Sequence, residues 1–70
     1  MGRTRKIERG ERLPRGAKVV SRRYGEGRFL MWSGDGAKLA LGYGKHRYYR
    51  CVHFETVEVF INDNDEVILA

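Results

Sequence analysis

The sequence predicts an all-β domain, folded as a small barrel or as a strongly bent antiparallel sheet of five to six strands. Three observations carry that expectation. No stretch of helical length (about 11 residues or more) spaces its apolar side chains at helical intervals. From Ala17 onward, short β-prone apolar runs recur with turn residues between them. Nine glycines in 70 residues supply the corners that such a chain needs.

The elements follow in order. Residues 1–15 hold Ile7 and Leu13 among many charges and show no apolar period, so a flexible, disordered basic arm is expected there. Pro14 keeps Leu13 extended and Gly16 permits a turn. The folded domain is expected to span residues 16–70. Strand one covers roughly 17–23. The turn Tyr24-Gly25-Glu26-Gly27 leads into a second strand over 27–33, where Phe29, Leu30, Met31 and Trp32 are apolar on both faces. Ser33-Gly34-Asp35-Gly36 is a tight hairpin turn. Strand three, 37–43, alternates Leu39, Leu41 and Tyr43 with Lys38, Ala40 and Gly42. Strand four, 47–54, places Tyr48, Arg50, Val52 and Phe54 on one face and Tyr49, Cys51 and His53 on the other. Strand five, 56–61, has Val57, Val59 and Ile61 alternating with Glu58 and Phe60. Asn62-Asp63-Asn64-Asp65 is a polar turn, and Val67-Ile68-Leu69 pairs back on strand five. An open sheet that dimerises through an edge is the alternative to a closed barrel.

Size and charge narrow the function classes. A chain of 70 residues makes at most one domain with a small core, which favours a binding module over an enzyme. Cys51 is the lone cysteine, so no disulfide scaffold forms. No apolar run is long enough to span a bilayer, and no apolar stretch follows Arg3, Arg5 and Lys6 as a secretory signal requires. No membrane association and a cytoplasmic location, including that of a phage-infected cell, are therefore expected. The net charge of +5 is unevenly spread. Residues 1–23 carry nine lysines and arginines against Glu8 and Glu11, whereas residues 55–70 carry five acidic residues and no basic one. A basic front end suits phosphate or an acidic protein surface.

The segment from Gly16 through Val19 to Tyr24-Gly25-Glu26-Gly27 resembles the opening of SH3-like barrels of the Tudor and KOW type. It is most similar to the N-terminal domains of CarD-type transcription factors and to the C-terminal Tudor-like domain of superfamily-one repair helicases. Both open with Gly, a short Val-containing strand, an aromatic or His, then Gly-x-Gly. The likeness covers residues 16–54 and implies an SH3-like barrel that binds RNA polymerase or nucleic acid, in transcription or repair. The basic arm, the acidic last hairpin and the lack of a partner domain depart from that pattern.

The residues with most chemistry form a basic-aromatic set: Arg22, Arg23, Tyr24, Arg28, Lys45, Arg47, Tyr49 and Arg50. Arginine and lysine hold phosphates by charge and counterion release, and exposed rings stack on unpaired bases. Tyr24, Tyr43 and Tyr49 are the rings expected at the surface, while Trp32 and Tyr48 are expected in the core. The arm over residues 3–15 is a further candidate to follow a phosphate backbone.

Other chemistries fail on their spacing. Cys51 and His53 point the same way in a strand, and His46 lies near in sequence, but no second close pair of ligands completes a zinc site. A buried thiol is the simpler expectation for Cys51. Asn62–Glu66 lacks the glycine and distal glutamate of a calcium loop. No nucleophile, base and orienting group occur in a supporting motif, and no phosphate loop precedes a helix. The expected function is thus a nucleic-acid-associated binding module without cofactor or catalysis, as monomer or homodimer. The alternative is a protein-binding adaptor, for example of RNA polymerase or of a host enzyme, as among small phage proteins.

Overall fold

The computed structural model describes residues 3–44 and 48–70. They build one antiparallel sheet from β1 (Arg3–Lys6), β2 (Lys18–Ser21), β3 (Gly25–Ser33), β4 (Lys38–Tyr43), β5 (Tyr48–His53) and β6 (Val57–Ile61). Strand order across the sheet is β1-β6-β2-β3-β4-β5. β1 and β5 are its two edges and do not pair with each other. The all-β expectation therefore holds as a bent, open sheet of six strands rather than as a closed barrel.

Consecutive hairpins join β2, β3, β4 and β5. The chain then turns through a single turn of 3-10 helix, Phe54–Thr56, which is hydrogen-bonded to the β2–β3 and β3–β4 turns. Phe54 N donates to Ala37 O at 3.0 Å, and Arg22 N donates to Thr56 O at 3.0 Å. That crossing delivers β6 to the free side of β2, where Val59 faces Val19. The last residues pair back as expected, through bridges Ile61 to Val67 and Ala17 to Leu69. Asn62 Oδ1 closes the preceding turn by accepting from Asn64 N and Glu66 N.

Period-two alternation gives the core. Val19, Leu39, Leu41, Val57 and Val59 are fully buried, with Phe29 and Ile61 beside them. Each such side chain contributes about 1.5–3 kcal/mol by leaving water. β3 breaks the alternation once. Its register with β4 steps from Phe29 opposite Leu41 to Met31 opposite Ala40, so Leu30 is the extra residue of a β-bulge. The bulge turns Trp32 inward against Phe29, ring centres 5.9 Å apart, and leaves Met31 63% exposed. The run Phe29–Trp32 is therefore apolar on both faces without both faces being core.

The N-terminal segment is not a loose arm. Arg3–Lys6 pair with β6 along its outer side, Arg5 opposite Val59. Ile7 and Leu13 are buried in the core. The turn between them docks on the β3–β4 hairpin: Gly10 N donates to Gly36 O at 3.2 Å, and the Trp32 indole N–H donates to Glu11 O at 2.6 Å. Two isolated apolar residues show no period, yet both join the core built by distant strands, and Arg3 and Arg9 find Asp65 and Asp35 far along the chain. Among the described residues no helix is long and apolar enough to cross a membrane.

Candidate functional site

The β2–β3 turn lies two residues earlier than its glycines suggest. Ser21 pairs with Gly25, so Arg22, Arg23 and Tyr24 form the tip. Ser21 is buried, and its Oγ accepts from the backbone N–H groups of Arg23 and Tyr24, both at 3.2 Å. Gly25 ends the tip with φ 80°, a conformation that a side chain disfavours.

Gly27 acts differently. It lies within β3 opposite Val19, and a Cβ there would stand 2.7 Å from Gly42 O and 2.8 Å from Tyr43 Cε1. Its missing side chain is the space into which the Tyr43 ring packs. Tyr43, partly buried rather than exposed as expected, then supports two further rings. Tyr24 and Tyr48 each lie 6.3 Å from it, centre to centre. Burial raises the pKa of the Tyr43 hydroxyl, an effect that the nearby Ser21 hydroxyl partly offsets without meeting hydrogen-bond geometry.

Two arginines complete this group. The Arg50 Cζ sits 4.2 Å from the Tyr48 ring centre and 5.5 Å from that of Tyr24. Arg23 Cζ lies 5.6 Å from the Tyr24 ring centre. Arg50 also donates to the Tyr48 hydroxyl. Contrary to expectation, Tyr48 is not a core residue but 45% exposed, and Tyr24 is 37% exposed. Tyr48 precedes Arg50 by two positions on a strand, and that same-face spacing was the signal available for it. A cleft of about 390 Å³ adjoins the group, bordered by Arg22, Arg23, Tyr24, Lys38, Val52 and His53, with no carboxylate in its lining.

The opposite face of the sheet carries the other candidates. Lys18, Arg28, Gly42 and Tyr49 stand in register across β2, β3, β4 and β5. The Arg28 guanidinium lies flat on Gly42, where a Cβ would meet its Cζ at 3.1 Å. Tyr49 is 62% exposed. Cys51 is also exposed, not buried, because β5 is an edge and nothing described covers its outer face. His53 caps the 3-10 turn, its Nδ1 accepting from Glu55 N at 3.3 Å. Among the described residues no three histidine, cysteine or acidic side chains converge. Lys45 and Arg47 lie outside the described residues.

The fold thus gathers Arg23, Tyr24 and Arg50, sets Arg22 at their border, and places Arg28 and Tyr49 on the reverse side. It also sorts the cations. Arg3 pairs with Asp65 at 2.7 Å, Arg5 with Glu11 at 2.6 Å and Arg9 with Asp35 at 2.5 Å. Among the described residues Arg22, Arg23, Arg28 and Arg50 form no ion pair with a carboxylate. Three of the six cations over residues 3–15 are thus paired, whereas Lys6, Arg12 and Arg15, like the arginines of the turn and of β5, form no ion pair among the described residues.

No family model, curated protein or solved structure matches this chain. The likeness to Tudor- and KOW-type barrels accordingly rests on Gly16, Val19, Tyr24, Gly25 and Gly27 alone.

Proposed function

We propose that this chain is a nucleic-acid-associated binding module whose contacts are made by the β2–β3 turn and by β5. One observation carries the reading: two arginines that have no carboxylate partner among the described residues, Arg23 and Arg50, lie against partly exposed tyrosines. An unneutralised guanidinium attracts phosphate, and an exposed ring beside it offers a stacking surface to a base. The test is fluorescence anisotropy with labelled oligonucleotides across a salt series. The logarithm of the binding constant should fall linearly with that of salt concentration, with a slope of about 0.7–0.9 for each phosphate neutralised. A flat response at low salt overturns the reading.

A protein-binding adaptor is the second reading, and a separate observation favours it. A larger cleft of about 1070 Å³ runs between Lys6–Arg9 and the segment Phe54–Glu58. Lys6, Arg9 and Arg22 line it together with Glu8, Glu55 and Glu58, around Ile7, Val20 and Phe54. Such a mixed, partly apolar lining suits a peptide better than a polyanion. Capture of one protein from nuclease-treated lysate, lost on Glu55→Lys, would support it.

A further inference from the structure

We infer that the ligand is a single strand of DNA or RNA drawn around the β5 edge, with bases stacked on Tyr48 on one face of the sheet and on Tyr49 on the other. This inference rests on the nucleic-acid reading and deepens it. Consecutive residues of a strand project to opposite faces. The register confirms the split: Tyr48 is opposite Tyr43, against whose ring it packs, and Tyr49 is opposite Gly42, on which Arg28 lies.

Each face carries a tyrosine and an arginine. Tyr48 has Arg50 over its ring and Tyr24 beyond it. Tyr49 has Arg28 in register two strands away, across Gly42, on which the guanidinium lies. None of these cations is matched by a carboxylate among the described residues. Tyr48 and Tyr49 are adjacent residues on opposite faces of β5, and β5 is an edge with no described strand beyond it.

The flexibility of the ligand decides its class. A duplex keeps its bases stacked inside and stays straight over about 150 base pairs, so it can lie on one face and touch one set of arginines. It cannot turn around a strand edge to reach the other set, nor lend a base to either tyrosine. An unpaired strand has exposed bases and a backbone that bends within a few nucleotides, and it satisfies both faces at once.

The experiment compares a labelled ten-nucleotide single-stranded DNA, its RNA counterpart and the matching DNA duplex, at low salt. It uses the full chain and the variants Tyr49→Ala, Tyr48→Ala and Tyr48→Phe. The single strands should bind at least tenfold tighter than the duplex. Tyr49→Ala and Tyr48→Ala should each weaken single-strand binding by roughly 5- to 150-fold, the range for loss of one stacked base. Tyr48→Phe keeps the ring but loses the hydroxyl that accepts from Arg50, and it should bind more tightly than Tyr48→Ala, which separates stacking from loss of the hydroxyl. Tighter binding of either the RNA or the DNA strand supports the inference and says which of the two the site takes. Duplex binding as tight as single-strand binding overturns the inference while leaving the nucleic-acid reading intact. So does unchanged affinity in Tyr49→Ala. If no oligonucleotide binds, both fall.

Discussion

The guanidinium carbon of Arg50 lies 4.2 Å from the centre of the Tyr48 ring, two residues before it on β5. Side chains at that spacing share a face, and an arginine is long and planar enough to fold back over the ring. The cation is held as a flat surface against an aromatic neighbour. Arg50→Lys retains the charge but loses the plane, so oligonucleotide affinity should fall about three- to tenfold with the salt slope unchanged. Arg50→Ala should also reduce that slope, by about 0.7 for a single strand. Anisotropy titrations at several salt concentrations measure both quantities.

Gly27→Ala should be the most damaging single-methyl change in the turn region. Its Cβ would arrive 2.7 Å from the Gly42 carbonyl oxygen and 2.8 Å from the Tyr43 ring. The backbone oxygen cannot move without opening the β3–β4 pairing. Overpacking of this kind costs about 1–3 kcal/mol, a large share of the few kcal/mol available to so small a domain. Thermal denaturation followed by circular dichroism should show a clear drop in Tm. The displaced Tyr43 would also release Tyr24 and Tyr48.

Trp32→Phe should loosen the N-terminal segment selectively. The indole N–H donates to Glu11 O at 2.6 Å, and phenylalanine keeps most of the apolar contact while leaving that carbonyl without its donor. The cost is about 1–3 kcal/mol. Amide hydrogen exchange should accelerate over residues 3–11 more than in β3 or β4, because β1 and the Gly10 contact depend on that anchor.

Acid should weaken the same segment. The hydrogen bond from Arg5 holds the Glu11 carboxyl below its ordinary pKa, with burial acting in the opposite direction. A carboxylate depressed in the folded state adds stability above its unfolded-state value of about 4.3, and that stability is lost as the pH falls through the lower folded-state value. Asp35 is depressed as well, first by the Ala37 N–H and then by Arg9, so the β3–β4 turn contributes in the same direction. Thermal melts between pH 6 and pH 2 should show Tm falling below about pH 4. Glu11→Gln should lower Tm at pH 6 and flatten that fall.

Much of the architecture was legible in the residues themselves. Period-two alternation in β4, β5 and β6 placed Leu39, Leu41, Val52, Val57 and Val59 on the core face, because a strand has only two faces and water selects between them. The turn residues at Gly34–Gly36 and Asn62–Asp65 marked the hairpins, because their backbone conformations are local. The basic-aromatic content of the turn and of β5 was visible for the same reason. Three things depended on partners distant in the chain. Ile7 and Leu13 carry no period, and their burial depends on strands distant in the sequence. Arg9 and Arg3 look available until Asp35 and Asp65 are brought to them across 26 and 62 residues. Tyr48 reads as core on its face pattern, yet it lies on an edge strand at the rim of the sheet, and strand order is a property of the whole chain. Local propensity and alternation choose the strands and their faces. Which strand is an edge, which cation meets a carboxylate and which ring stays in water are set by long-range pairing, whose energy no short stretch of sequence contains.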